Sequence, residues 1–206
     1  MSVVKNLKAA LNWQMVLAAF FILLPTVLGF YHGVQGRIVI ADPEMSDQNF
    51  SKTVLYMFDH QWYSAKALVV NRGYKDIENI PAYLRGRHFP VYWGGPVEDK
   101  DRVFILDLIP EEWDIPIVLK FDEIVKENPD ILQQVEKNPE RYRVFVGYTG
   151  WGFLQFETEK ESGGWKVAPY LSFIFDNKLS PNDLWDEVLK YSDDKKKPHI
   201  LERQKS

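Results

Sequence analysis

Cysteine is absent from the 206 residues. That excludes disulfide staples, thiolate zinc sites and cysteine nucleophiles, and it leaves the redox compartment open. Histidine is scarce: His32, His60, His88 and His199 are the full set, and no two stand at the short spacing of a helical metal pair. Neither a metal nor a cofactor is expected. Basic excess is missing as well. Setting aside Lys5 and Lys8, the 25 Lys and Arg fall to 23 against 29 Asp and Glu, a formal charge of −6 for the rest of the chain. No basic face is implied of the kind that neutralises phosphates, so a nucleic-acid partner is disfavoured.

Formal charge is also missing from one continuous stretch, between Lys8 and Arg37. Within it, Asn12 to Tyr31 (NWQMVLAAFFILLPTVLGFY) is close to the ~20 largely apolar residues that span a bilayer as a helix. The expected organisation is a short basic segment over 1–12, a transmembrane helix over 13–31, a linker over 32–36, a folded domain over 37–191 and a charged tail over 192–206. Lys5 and Lys8 before the span, against Arg37 alone soon after it, favour a cytoplasmic N-terminus. The expected location is a bacterial inner membrane, crossed once, with the domain in the periplasm. A cleaved signal peptide is the alternative: the same lysines form its basic region, Met15 to Leu24 its apolar region and Val27-Leu28-Gly29 a small-residue cleavage site. A domain on the cytoplasmic side is the other.

The whole chain is 46% hydrophobic with seven tryptophans, a composition that packs a large aromatic core. Alternation and β-branched runs predict strands at RIVIA (37–41), TVLYMF (53–58), ALVVNR (67–72), VYWGGPV (91–97), RVFILDLI (102–109), Tyr142 to Val146 and WKVAPY (165–170), the second and third as a hairpin-like pair. Helical spacing runs from Phe121 to Asn138, as one kinked helix or two short ones. Further helices are expected at Phe153 to Glu161 and in SPNDLWDEVLKYS, where serine, proline and acids mark a start. Strands and helices do not alternate regularly, so the expected fold is α+β: one compact domain with a twisted, barrel-like mixed sheet flanked by helices, preceded by the transmembrane helix.

Four motifs in order, ADPEMSDQNFSKTVLYMFDH, ALVVNRG, VYWGGPV and VFVGYTGWGFLQFETE, followed by WKVAP and LW, resemble the bacterial YqgE/AlgH family from Arg37 to Tyr191. The resemblance implies a compact α+β domain with a barrel-like sheet. It implies no catalytic residues, because the family's activity is not established. Its label of transcriptional regulator rests on a link to polysaccharide gene expression, which is a phenotype and not a DNA-binding motif. This chain departs from the family pattern at Ser64-Ala65-Lys66-Ala67, where members usually show glycines, and at Gly73, where they usually have proline. Members also typically lack a membrane segment.

Two constellations stand out as sites. Gly94-Gly95 and Gly150-Trp151-Gly152 are turns able to expose backbone N–H groups, and Arg72, ahead of both in sequence, could clamp a carboxylate or phosphate; together they are the candidate ligand or partner site. The glycine spacing matches neither the dinucleotide fingerprint nor the phosphate loop, so the Gly150 turn reads foremost as a strand-to-helix corner anchored by Trp151. For Arg72 the plain reading is an internal ion pair. Gln155, Glu157 and Glu159 follow the corner and Asp59-His60 ends another strand; a carboxylate and His60 brought together could do acid–base chemistry, while the plain reading is solvated helix-face acids and a strand-end histidine. The reading that follows is a tethered binding or regulatory module with a protein partner. An enzyme built on His60 and the Gly150 corner, or a transcriptional regulator, are the alternatives.

Overall fold

The computed structural model describes residues 33–74, 80–97, 102–110, 114–176 and 178–192. Among the described residues nine strands and four α-helices run in chain order: β1 (Ile38–Ala41), β2 (Val54–Gln61), β3 (Ser64–Val69), β4 (Val91–Trp93), β5 (Val103–Asp107), β6 (Ile117–Lys120), α1 (Phe121–Glu127), α2 (Ile131–Lys137), β7 (Tyr142–Val146), β8 (Thr149–Trp151), α3 (Gln155–Glu161), β9 (Trp165–Ala168) and α4 (Pro181–Leu189). The α+β class and the mixed sheet pairing with flanking helices are as expected. The strands form two sheets and not one. The first has the order β8-β3-β2-β1-β9 and is antiparallel throughout; the second has the order β4-β7-β5-β6, with β4 and β7 parallel.

The transmembrane helix expected ahead of the domain, and the single-pass inner-membrane location built on it, are corrected. Among the described residues no helix is long and apolar enough to cross a membrane. The longest, α4, has nine residues, because each helix here only has to cover part of one sheet face. The stretch 13–31 on which the span was placed lies outside the described residues, as do 1–12 and 193–206.

Strand periodicity explains the layering. Ile38 and Ile40 of β1, Val54 and Tyr56 of β2, and Leu68 of β3 meet Phe104 and Leu106 of β5 and Phe145 of β7, so the two sheets share one core, closed by Leu184, Trp185 and Val188 of α4. The alternate residues Val39, Ala41, Leu55, Met57, Ala65, Ala67 and Val69 face the other way onto Phe156 of α3. Val103, Ile105, Val144 and Val146 likewise turn away from the shared core toward Ile131, Leu132 and Val135 of α2. Both faces of the central strands are therefore largely apolar, which is why β1 reads as an unbroken hydrophobic run and β7 is interrupted only by the buried Arg143.

The sheets are stitched along one side. Val69 N–H of β3 donates to the Gly94 carbonyl and Gly94 N–H donates to the Val146 carbonyl of β7, both at 2.9 Å. Gly147, at φ +76°, then passes the chain straight from β7 to β8, from one sheet to the other. A second tie crosses the shared core: the Tyr56 hydroxyl donates to the Pro116 carbonyl at 2.6 Å, just before β6. Burial, with a lesser push from Tyr170, holds the Tyr56 pKa far above its ordinary value, so the hydroxyl stays a donor. Tyr56→Phe leaves that carbonyl unpaired and is expected to lower the unfolding free energy by about 1–1.5 kcal/mol, read as a urea midpoint shift with unchanged slope.

Candidate functional site

The glycine constellation is the seam itself. A Cβ on Gly94 would lie 2.1 Å from the Gly147 carbonyl oxygen, and one on Gly95, at φ +148°, would lie 2.4 Å from Thr149 Oγ1 and from the Tyr148 carbonyl carbon. These positions take glycine because two backbones approach there. Gly150 joins them through the Val97–Tyr148 bridge, and Arg72 lies one residue away, since its carbonyl accepts from Trp93 N–H at 3.0 Å. Trp151 and Gly152 sit at the far end of β8, toward α3.

Arg72 is spent on main-chain and hydroxyl oxygens. Its guanidinium donates to the Asn49 and Ser51 carbonyls and to Thr53 Oγ1, at 2.7, 2.8 and 2.8 Å, and covers the Trp93 ring at 5.4 Å. Burial lowers its pKa from the ordinary arginine value, offset in part by the charge of Asp47. It pins the polar loop before β2 to the end of β3.

His60 and Glu157 do meet. His60 Nε2 lies 2.7 Å from Glu157 Oε1, and Val34 N–H donates to His60 Nδ1 at 2.8 Å. An amide can only donate, so Nδ1 accepts and Nε2 carries the proton toward the carboxylate. The ring stands edge-on to Phe156 at 5.2 Å. With both ring nitrogens committed, the pair lacks the available basic nitrogen that general-base chemistry requires. What it does is hold Val34 and α3 against β2.

Beside this pair is a second carboxylate, Glu159, which does not pair with His60. Glu159 Oε2 accepts from the indole N–H of both Trp151 and Trp165, each at 2.8 Å, and its Oε1 accepts from Gln155 at 2.8 Å. The two indoles stand edge to face at 5.6 Å. They come from β8 and β9, the opposite edges of the five-stranded sheet, which at roughly 4.8 Å per strand would be about 19 Å apart if it were flat. The sheet is curled so far that its two edges are joined through one side chain, with Phe156 inside the curl. This is the part of the fold that is barrel-like.

On the outside of that corner, four large hydrophobic side chains are exposed together: Trp62 at 46%, Tyr63 at 55%, Phe153 at 63% and Leu154 at 41%. Trp62 and Tyr63 form the β2–β3 turn, and Phe153 and Leu154 the turn from β8 into α3. Trp62 meets Tyr63 edge-on at 5.4 Å and Phe153 at 5.5 Å, and Leu154 N–H donates to the Trp62 carbonyl at 3.3 Å. Leu154 holds φ +51°, a left-handed conformation that costs a residue with a Cβ on the order of 1–2 kcal/mol. The signal for this cluster was in HQWYSA: two large aromatics at a hairpin turn, where small polar residues are the rule.

The family described as AlgH-like matches residues 38–196. A UPF0301 protein of Rhizobium etli is 33% identical over 168 residues, covering 73% of this chain and 82% of its own length. A UPF0301 protein of Hahella chejuensis is 32% identical over 148 residues, covering 68% and 80%. The solution structure of the AlgH protein from Pseudomonas aeruginosa superposes with a TM-score of 0.58 at 23% identity, covering 79% of this chain and 89% of that one. A crystal structure of a Corynebacterium diphtheriae protein gives 0.56 at 17%, covering 81% and 88%. The two structures speak for the fold alone, and none of these names states a substrate or an activity. On the span of the match and the identity of its relatives, the chain belongs to the AlgH-like family.

Proposed function

We propose that this AlgH-like domain is a protein-binding module and that Trp62, Tyr63, Phe153 and Leu154 are its contact surface. The observation that carries the reading is their joint exposure, ring against ring, on two turns tied together by a backbone hydrogen bond. Tryptophan and tyrosine anchors dominate binding energy at protein interfaces. The four side chains expose on the order of 400 Å², the size of the largest, often functional patch on a monomer. That is about half of the ~800 Å² per partner in a standard-size interface. A short apolar segment of a partner protein therefore suits the patch better than a second copy of this chain. The His60–Glu157 pair and the Glu159 clamp lie directly beneath and fix both turns before binding, which lowers the ordering cost.

The test is a photo-crosslinking residue placed at Phe153 of the full-length chain in its own cells, with exposed Gln133 on α2 as the control position. A discrete adduct at 153, absent at 133 and lost when Trp62→Ala is added, is the expected result. No adduct, or equal adducts at both positions, overturns the proposal, and an adduct of twice the chain mass replaces the partner with a second copy.

A further inference from the structure

A cavity of about 160 Å³ opens where the end of β3 meets the start of α4. Its apolar walls are Val70, Tyr92, Ile174 and Leu184, and Asn71 and Gly73 also line it. Among the described lining residues, Lys178 alone carries charge. We infer that this cavity is a binding site for a small carboxylic acid whose body is a single ring or a short branched chain.

The cavity is built before any ligand arrives. The Asn71 side chain accepts from Val54 N–H at 3.0 Å and donates to the Lys52 and Pro181 carbonyls at 2.9 and 3.0 Å, tying β2, β3 and α4 into one wall. The Gly73–Tyr92 bridge fixes the facing wall. Pre-formed walls spare a ligand the cost of ordering them.

Volume sets the size of the occupant. An apolar cavity of about 150 Å³ takes up one benzene, so a single ring or a short branched chain matches the part of a ligand that this one holds. Charge sets the class. Asn71 has used its amide within the fold and offers little to a guest. Lys178 has a side chain 81% exposed and reaches Asp176 at 3.1 Å, an exposed ion pair of the kind that contributes little to stability, so the ammonium can turn to a ligand's carboxylate. An acid with its ring in the cavity and its carboxylate at Lys178 buries the apolar part while the charge stays at the solvent edge, avoiding desolvation of an ion. An amine of the same shape meets like charge, and an alcohol loses the ionic contact.

Gly73 provides the means of blocking the site. A Cβ added there meets no atom within 4 Å, and its backbone is outside the left-handed region, so a side chain can start from that wall without backbone strain. The experiment is ligand-observed fluorine NMR on the full-length chain with 4-fluorobenzoate, 4-fluorobenzyl alcohol and 4-fluorobenzylamine. The acid is expected to bind with a Kd of ~0.1–1 mM, at least fivefold more tightly than the alcohol and more tightly still than the amine. Lys178→Gln should reduce the acid to the affinity of the alcohol, and Gly73→Leu should remove binding of both. Trp62→Ala should change neither, which separates this site from the aromatic surface. Absence of acid binding to the native chain, equal affinity for acid and alcohol, or acid binding unaltered by Lys178→Gln overturns the proposal; the last needs only an exposed substitution that leaves folding untouched.

Discussion

Gly94→Ala is expected to lower the unfolding free energy by about 3 kcal/mol or more, enough in a domain with a typical margin of ~5–15 kcal/mol to leave much of the chain insoluble. The clash is with backbone: the new methyl would sit 2.1 Å from the Gly147 carbonyl oxygen and 3.2 Å from Leu68 Cδ2. No rotamer change relieves the first contact. The two strands must separate, and Gly94 supplies both hydrogen bonds of the seam, to Val69 and to Val146. Separation therefore adds the cost of unpaired buried backbone groups to the steric cost. Gly73→Ala is the matched control, since its methyl enters open space, and its urea midpoint should stay close to that of the native chain. A Gly94→Ala midpoint equal to that of Gly73→Ala would show that the seam does not hold the sheets together.

The second large effect is expected at Glu159→Ala. It leaves two indole N–H groups without their acceptor, on Trp151 and Trp165, which are only 5% and 4% exposed. Each unpaired buried donor costs about 1–3 kcal/mol, and the lost bonds were charge-assisted, so a loss of about 3–4 kcal/mol is expected by urea titration. Tryptophan emission provides an independent reading, because water admitted to the indoles shifts it to longer wavelength. Glu159→Gln, which keeps one carbonyl acceptor, should fall between the two. If Glu159→Ala costs less than about 1 kcal/mol, the curl of the sheet is held by Phe156 and the strand pairing alone.

The strands were legible where burial on both faces writes a largely apolar run, as in β1 and β5, and the hairpin of β2 and β3 was legible from two such runs close together in the chain. β6 escaped because it is four residues long, follows a proline and lies at a sheet edge. β8 escaped because its three residues carry a glycine and looked like part of a turn. The division into two sheets was not legible at all: it depends on the parallel pairing of Val91–Trp93 with Val144–Val146, and no local pattern encodes a partner that far away.

The candidate site divides in the same way. Arg72 was legible as a residue of consequence, but two of its three acceptors are main-chain carbonyls, and every residue in a chain has one. His60 and Glu157 were named together, yet their meeting joins positions 97 apart, and the Val34 amide on Nδ1 has no side-chain signature. Glu159 looked like one acid among several on a solvated helix face. Its position one turn beyond Gln155, below two tryptophans from opposite sheet edges, follows only from the curl.

The pairing of β1 with β9 has a consequence for biosynthesis. Ile38 lies opposite Ala168, and Ala41 opposite Trp165, so among the described strands one side of the first, β1, waits for the last, β9. On a ribosome releasing residues one at a time, β2 and β3 can join β1 early, but its other side has nothing native to pair with until more than 165 residues have been synthesised. The indole of Trp165, the second of the pair that Glu159 holds, arrives with that same strand. Completion of the five-stranded sheet therefore waits until β9 has been synthesised, and until then the growing chain carries an apolar, unpaired strand edge.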